Sequence, residues 1–377
     1  MSVPITFAAA FTPAPSTSSS TTTITTTQSF TTPLAPGDIT VRITATAINP
    51  VDWKFRDTPT LTPFIPVWPT VLGSDAAGEV VQIGADFADK FAVGDRVWFQ
   101  GIYGKPEACT FQQYCRVPAH LVGRVPSKEG FTDDEAAGLS LGSITATIGI
   151  YHSLGRGVVP APWNEGGSYV GKGKAVVVLG GSTSVGQYAV QLARLSGYER
   201  IVASAGAKHE VLLKSLGASV VVGRHSWDGD EDGNVQEFVD ALGDDLELDW
   251  VYDCVTLDRA QEFGVKIVQA AQKVTDGVMV VSVNQIDECA IAAGRAVGGE
   301  SKKREVKVQG IFALGYHPDY RYVTEPMYIN ISKWLASGDF VPNRVQVVSG
   351  GLKALDEAMD LNKKGVSGVK VIVRPHA

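Results

Sequence analysis

A glycine-rich turn near residue 180 is the stretch whose residue types and spacing could do chemistry. Glycines let the chain turn tightly and let a ligand approach the backbone, and short hydroxyl side chains can donate hydrogen bonds. If a helix begins here, its unpaired amides and the positive end of its dipole suit a pyrophosphate. The spacing departs from G-x-G-x-x-G, and glycine turns also join strands to helices for structural reasons alone. The residues of the turn are Gly180, Gly181, Ser182, Thr183, Ser184, Val185 and Gly186.

The residues about 20 positions after this turn indicate which dinucleotide would bind. An acidic residue at that distance would hold a ribose 2′-hydroxyl. The sequence has Ser204, Gly206, Lys208 and His209 there instead, with no carboxylate before Glu210. A carboxylate would repel a 2′-phosphate, whereas Ser204, Lys208 and His209 could bind one, so the pattern favours NADPH over NADH. In the alternative interpretation, Lys208 and His209 are only the solvated start of a helix.

The elements that must position the turn are a strand, a helix and a second strand. The run from Ala175 to Leu179 is apolar on both faces, which is typical of a parallel strand buried between helices. Apolar residues then recur at helical spacing to Leu195, and a second strand starts at Ile201. Strands and helices continue to alternate to about Val283, which predicts a doubly wound parallel sheet.

The segments on either side of this sheet predict a β-rich module. To about residue 120 the sequence shows short strands and turns, which indicate an all-β or barrel-like arrangement. The threonine-rich stretch 16–32 fits an early β-meander or a disordered tract. Residues from Thr132 to Tyr151 predict helix, and the C-terminal segment returns to the first module. We therefore predict an α/β protein with a cofactor domain, residues 151–310, inserted in a β-rich domain, residues 1–150 and 311–377, and a site in the cleft between them.

Composition and charge exclude several classes of protein. The chain has 377 residues, 44% of them hydrophobic, and a net charge of −7, which gives no footprint for nucleic acid or an anionic membrane. Its four cysteines are scattered, so free thiols in a reducing compartment are expected. No run is long enough to span a bilayer, and the first positive side chain is Arg42. These features predict a cytoplasmic protein.

Several motifs together resemble the medium-chain dehydrogenase/reductase superfamily. Within it, the chain is most similar to the zinc-free, quinone-oxidoreductase-like branch and to the fungal trans-acting enoyl reductases of secondary metabolism. The resemblance covers nearly the whole chain after residue 35. It implies a Rossmann domain inserted in a GroES-like catalytic domain. The motifs are residues 47–54, 72–78, 93–97, 139–146 and 364–368, together with the glycine turn.

The same resemblance implies that no metal is bound. Zinc relatives carry a histidine–glutamate pair where this chain has Ser74 and Asp75, and a catalytic cysteine where it has the segment 49–54. Their four-cysteine lobe is also absent. Zinc prefers clustered nitrogen and sulfur ligands, and the histidines of this chain are dispersed.

Without a metal, the resemblance assigns proton chemistry to Lys54 and Thr145. Lys54 would protonate the substrate, or would only bind cofactor hydroxyls. Thr145 would face the nicotinamide and the substrate, or would be a helix hydroxyl bonded to its own turn. Mitochondrial-type enoyl thioester reductases use a tyrosine donor, but no tyrosine precedes Tyr103, so that mechanism is not expected.

The resemblance also implies the remaining contacts. Arg224 stands where relatives have a tyrosine near the adenosine, and it could stack on adenine or reach the 2′-phosphate. Val283 lines the substrate cleft or belongs to a core strand. The expected cofactor contacts are Asn49, Val51, Asp52, Trp53, Lys54, Gly181, Ser182, Thr183, Ser184, Val185, Ser204, Gly206, Lys208, His209, Arg224, Val255, Thr256, Ser367 and Gly368. The expected substrate contacts are Thr145, Val283, Asn284, Phe312 and Leu314.

The sequence thus predicts an NADPH-dependent reductase of an activated C=C bond in an enoyl thioester or enone. Its small-molecule substrate could be delivered by a carrier or synthase. An NADPH:quinone reductase and a non-catalytic NADPH-binding protein are the alternatives. The sequence leaves open whether the protein is a monomer or a homodimer.

Overall fold

The structure is a computed structural model that describes residues 3–15, 21–127, 129–223, 231–255, 259–295 and 304–377. It divides the chain into two compact units. The first comprises Met1–Leu141 and Gly315–Ala377, and the second comprises Gly142–Leu314. Within the described residues, no helix is both long and apolar enough to cross a membrane.

Strands and α-helices follow one another along the chain. The strands are β1 (Phe7–Thr12), β2 (Thr23–Gln28), β3 (Asp38–Ile48), β4 (Thr70–Val71), β5 (Asp75–Ile83), β6 (Arg96–Gln100), β7 (Tyr114–Pro118), β8 (Val122–Arg124), β9 (Lys174–Leu179), β10 (Arg200–Ala205), β11 (Val220–Gly223), β12 (Glu247–Asp253), β13 (Val274–Ser282), β14 (Lys307–Gly310), β15 (Arg344–Val348) and β16 (Val369–Val373). The helices are α1 (Pro50–Asp57), α2 (Asp133–Ala137), α3 (Ser140–Tyr151), α4 (Ser184–Leu195), α5 (Glu210–Leu216), α6 (Glu231–Leu242), α7 (Ala260–Ala270), α8 (Glu288–Gly294), α9 (Arg321–Ser337) and α10 (Leu355–Lys364).

The first unit is built on a mostly antiparallel sheet with the order β15-β16-β3-β5-β6-β8, and β7 also pairs with β3. Ile39, Val41 and Ile43 alternate along β3 and are buried against Val80 and Val97. Strands β2, β1 and β4 form a smaller sheet. The second half of the threonine-rich stretch is therefore largely strand, as threonine's preference for strands favours.

The second unit is a six-stranded sheet with the order β11-β10-β9-β12-β13-β14, and every neighbouring pair is parallel. Val176, Val177 and Val178 in β9 have no exposed surface, which explains why this strand is apolar on both faces. The chain runs outward from β9 through β10 to β11, then crosses to β12 and runs the other way. The predicted doubly wound α/β fold is confirmed. Its topological switch point lies between β9 and β12, where ligands of such sheets bind beyond the carboxyl ends of the strands.

The structure differs from the sequence prediction in the helices near the site. Helix α1 lies in a region that was predicted to contain only strands and turns. The predicted helix from Thr132 to Tyr151 is two helices, since α2 ends at Gly138. Most of α3 belongs to the second unit because the Tyr252 hydroxyl donates to the Thr145 carbonyl at 2.7 Å and the Tyr151 hydroxyl to Leu192 at 3.1 Å.

Candidate active site

The glycine turn joins β9 to α4 at the switch point of the sheet. Gly180 has a φ of 74°, and a methyl group there would lie 2.4 Å from the Val255 side chain beyond β12. A methyl group on Gly186 would lie 2.3 Å from the Gly180 carbonyl oxygen. Thr183 caps α4, since its Oγ1 accepts from the Gly186 amide at 3.0 Å. The turn therefore has the tight backbone that a phosphate cradle needs, and it places the N-terminus of α4 at the switch point.

The predicted 2′-phosphate residues lie at the end of β10 and just beyond it. The Ser204 hydroxyl is buried and accepts from the Gly180 amide at 2.9 Å, so it also fixes the glycine turn. Lys208 is exposed, whereas His209 is buried at the start of α5. Within this group Lys208 offers the solvent-facing positive charge, and Ser204 has a structural hydrogen bond that the sequence did not predict.

A buried aspartate organises the carboxyl ends of β12 and β13. Asp253 Oδ2 accepts from the Ser282 hydroxyl at 2.7 Å, and Oδ1 accepts from the Val255 amide at 3.0 Å. Gln261 on α7 donates to Ser282 Oγ at 3.2 Å and to the Gln285 carbonyl at 2.7 Å. These contacts hold the loops that follow the two strands. Asp253 was not predicted as a site residue, although an acidic residue at the end of an apolar strand is a usable signal.

Thr145 lies on α3, close to the start of α4 within the second unit. It is nearly buried, and a methyl group on Gly142 would lie 2.7 Å from Ser184 Oγ and 3.0 Å from the Tyr188 ring. Because Gly142 allows this close approach, the first turns of α3 and α4 pack against each other. The structure thus brings Thr145 to the same part of the second unit as the glycine turn.

The predicted substrate residues follow β13 and β14 at the same edge of the sheet. Val283 and Asn284 are half-buried after β13. Phe312 and Leu314 follow β14 and are 57% and 38% exposed. The Val283 amide donates to the Asp253 carbonyl at 3.2 Å, so Val283 is tied to the end of the core sheet while keeping part of its side chain accessible.

In the first unit, Asn49 joins a buried polar network at the start of α1. Its side chain donates to Asp75 Oδ2 at 2.9 Å and accepts from Lys370 Nζ at 2.6 Å. Lys370 also pairs with Asp75 at 3.0 Å, and the Leu141 amide donates to Asp75 Oδ1 at 2.6 Å. All three side chains are buried. The amide that was expected to contact a cofactor is therefore already engaged on both its oxygen and its nitrogen.

Asp52 forms the second half of this network. Its Oδ2 accepts from the Asn49 amide at 2.7 Å, and its Oδ1 accepts from the Tyr103 hydroxyl at 2.6 Å. Burial raises the pKa of Asp52 from 3.8 to about 7. The two hydrogen bonds and Lys370 act in the opposite direction and lower this pKa, whereas the nearby Asp75 also raises it. Burial also raises the pKa of Tyr103 well above its usual 10, and the Asp52 charge adds to that shift. Asp52 is thus a structural part of the α1 start.

Trp53 and Lys54 occupy the following positions of α1. Trp53 Nε1 donates to Asn362 Oδ1 of α10 at 3.0 Å. Lys54 Nζ lies 5.8 Å from the Trp53 ring centre, and Lys363 of α10 lies 5.6 Å from the same centre. Lys54 is half-buried. The indole is therefore held by α10, with a lysine from each helix beside it.

The remaining predicted contacts fall in three groups. Val51 packs against the first-unit core. Ser367 is exposed, and Gly368 adopts a φ of 69° in the turn between α10 and β16. Arg224 and Thr256 lie outside the described residues.

Three members of the first-unit network, Asp75, Tyr103 and Lys370, were not predicted as site residues. Lys370 lies more than 300 positions from Asn49, so only the pairing of β16 with β3 brings them together. Across the residues that the structure describes, no group of three or more His, Cys, Asp or Glu could hold a metal ion.

Comparison with known proteins begins with the fold. Residues 35–127 match the alcohol dehydrogenase GroES-like domain, and the second unit contains a six-stranded parallel sheet. A quinone oxidoreductase from Coxiella burnetii has the same fold. It superposes with a TM-score of 0.66 at 19% identity, covering 98% of this chain and 99% of that chain.

Comparison of the sequence gives relatives that are more similar to this chain. The chain is 28% identical to a trans-enoyl reductase from Penicillium crustosum over 346 residues, 88% of each chain. It is also 28% identical to a zinc-type alcohol dehydrogenase-like protein from Schizosaccharomyces pombe, covering 90% of this chain and 92% of the relative. The predicted resemblance to quinone-oxidoreductase-like medium-chain dehydrogenase/reductases, with trans-enoyl reductases among the relatives, is confirmed. Independence of zinc stays a prediction.

Proposed function

We propose that this protein reduces an activated C=C bond in an enoyl thioester or an enone, with NADPH as cofactor and without a metal ion. The observation that carries the proposal is the glycine turn at the switch point, where Gly180 and Gly186 have no room for a side chain and the backbone turns tightly into the start of α4. Similarity to a trans-enoyl reductase over most of the chain supports the reaction type.

The chain offers residues that fit a phosphorylated dinucleotide. The amides of Ser182 and Val185 would bind the pyrophosphate, and the exposed Lys208 would pair with the 2′-phosphate beside Ser204. When bound, NADPH supplies the hydride for the β-carbon of a conjugated carbonyl. The Lys54 ammonium would donate to the substrate as the charge on its carbonyl oxygen grows, and would provide the proton for the α-carbon. The Thr145 hydroxyl would orient the substrate.

The substrate contacts proposed for the second unit are suited to an apolar acyl chain. Phe312 and Leu314 present exposed apolar surface, and Asn284 adds a polar group beside them. A carrier or synthase partner would deliver such a substrate as a thioester. The cysteines Cys109, Cys115, Cys254 and Cys289 are free thiols, which supports a reducing, cytoplasmic location.

Loss of NADPH absorbance with a crotonyl thioester, an enone and a quinone tests this function. We expect turnover with the thioester or the enone. Faster turnover with the quinone would assign the protein to quinone reduction instead. NADPH binding without turnover of any acceptor would indicate a non-catalytic binding protein and would overturn the proposal.

A further inference from the structure

The first turn of α1 contains a buried carboxylate to which the proposed reaction gives no role. Asp52 has no exposed surface, and its two oxygens accept from the Asn49 amide at 2.7 Å and from the Tyr103 hydroxyl at 2.6 Å. Burying a carboxylate is costly unless hydrogen bonds replace its water. The Tyr103 hydroxyl, from the loop after β6, is the side-chain donor that takes the place of water at Asp52.

The groups that face Asp52 come from several other elements. Besides Tyr103, these are Asp75 at the start of β5, Lys370 of β16 and the Cys109 thiol. The Cys109 thiol donates to the Ile102 carbonyl at 3.2 Å, so it is engaged elsewhere.

The charged groups of α10 act at the other end of α1. Asp360 pairs with Arg56 at 2.5 Å, Asp356 pairs with Arg56 at 3.4 Å, and Lys363 pairs with Asp57 at 2.7 Å. The last turn of α1 is therefore fixed by ion pairs, while its first turn depends on the Asp52 contacts.

The protonation of Asp52 links the docking of α1 to pH. Burial raises its pKa from 3.8 to about 7, so the docked helix holds the proton more tightly than an undocked one would. Docking is therefore strongest with Asp52 protonated, and it weakens as the pH rises from about 4 to about 7. Above that range Asp52 is ionised, and the Tyr103 hydrogen bond, which favours the ionised form, matters most.

We propose that Tyr103 is a positioning residue for Lys54: its hydroxyl holds the buried Asp52 carboxylate, and through it the first turn of α1. Lys54 opens the last turn of α1, two residues after Asp52, so its backbone follows directly on the turn that Asp52 holds. Tyr103 also packs its ring on Phe55 of α1, with centres 5.0 Å apart. The consequence for catalysis rests on the proposed function, whereas the docking of α1 does not.

Hydrogen exchange of the α1 amides in Tyr103→Phe tests the docking directly. The variant keeps the ring and removes only the hydroxyl. We expect exchange about tenfold faster than in the wild type near pH 8, and within about threefold of it near pH 6, after correction for intrinsic rates. Asp52→Asn should abolish the pH dependence of α1 exchange.

Tyr328→Phe is the matched control. Tyr328 is a buried tyrosine of the same unit whose hydroxyl accepts from the Gln100 amide of β6 at 3.2 Å. It should leave α1 exchange unchanged at both pH values. If Tyr103→Phe behaves like this control near pH 8, the inference is wrong.

Turnover of the same variants separates this inference from the proposed function. Tyr103→Phe should lower kcat more near pH 8 than near pH 6, in parallel with α1 exchange, while Tyr328→Phe should not. A wild-type protein that reduces none of the acceptors would overturn the proposed function, and α1 exchange would still decide the role of Tyr103. If the enzyme is active and kcat has the same pH profile in the wild type and in Tyr103→Phe, Tyr103 has no role in catalysis.

Discussion

At the scale of single residues, Lys54 differs from the other lysine beside Trp53. Both ammonium groups lie within 6 Å of the indole centre, but Lys363 is paired with Asp57 at 2.7 Å. Lys54→Ala should lower kcat by about 10²- to 10⁴-fold, the usual range for loss of a general acid. NADPH affinity should change much less, because the amides of the glycine turn and Lys208 remain.

Lys363→Ala is the control for this prediction, since it removes the same charge from the same ring on a different helix. Steady-state rates and NADPH titration by fluorescence measure both effects. Normal turnover in Lys54→Ala would end the acid role. An equal loss of binding and turnover would leave Lys54 as a cofactor ligand only.

The predicted preference for NADPH over NADH depends on Lys208. It is exposed after β10, at the position where an acidic residue would select NADH. Lys208→Ala should weaken NADPH by about 10- to 100-fold, as expected for a charge-assisted hydrogen bond, and should leave NADH nearly unchanged.

Lys214→Ala gives the comparison for Lys208. Lys214 lies on α5 and is paired with Glu210 at 2.7 Å, so its loss removes a nearby positive charge without touching the proposed phosphate site. Calorimetric titration with both dinucleotides measures the difference. Equal losses of NADPH and NADH affinity in Lys208→Ala would refute the 2′-phosphate assignment.

At the scale of secondary-structure elements, the glycine turn could be predicted from sequence, but α1 was not. The turn is local, since a buried strand, the glycines and the helical spacing lie within 20 residues. Helix α1 also carries a local signal, with Asn49 at the N-cap, Pro50 in the first turn and Asp52 accepting from the Asn49 amide. However, it is short, and strands flank it on both sides.

The contacts that hold α1 explain why its role could not be predicted. Trp53 bonds Asn362 and Arg56 bonds Asp360, partners about 300 positions away in the sequence. Such contacts depend on the pairing of β16 with β3, which brings the C-terminal segment beside α1. Periodicity reports local structure and cannot give these partners.

A comparison of two glycines with the same φ separates backbone strain from the lack of space for a side chain in the turn. Gly180 and Gly173 both have a φ of 74°, but a methyl group on Gly173 meets open space, whereas one on Gly180 would lie 2.4 Å from Val255. Gly173→Ala should cost about 1–2 kcal/mol of unfolding free energy, from backbone strain alone. Gly180→Ala should cost about 1–3 kcal/mol more and should also weaken NADPH, since the turn must move.

Thermal denaturation and NADPH titration of the two variants check this prediction. Equal stability and equal affinity in both variants would show that the turn has room for a side chain. The close packing on Val255 would then not be required.

At the scale of the whole chain, the first unit is assembled from two distant segments. Lys370 pairs with the buried Asp75, and Arg374 pairs with Asp134 at 2.5 Å, so the C-terminal segment completes the polar interior that the N-terminal segment begins. From the sequence we predict an inserted cofactor domain, because βα alternation has a visible start and end. The sequence did not predict the division within α3, since that helix carries no charged residue and only its contacts show which unit most of it joins.

The same assembly bears on metal binding. In zinc relatives a metal-binding pair stands where this chain has Ser74 and Asp75, but the Asp75 carboxylate already accepts from Lys370, Asn49 and the Leu141 amide. A cation there would have to displace the Lys370 ammonium, and the described part of the chain has no group of three or more His, Cys, Asp or Glu that could hold it. We therefore expect dialysis against a chelator to leave turnover and thermal stability unchanged, and metal analysis to find zinc well below one atom per chain. Added zinc should restore nothing, because nothing was lost. One zinc atom per chain, removed by the chelator together with activity and regained on zinc addition, would show that the reaction depends on a metal.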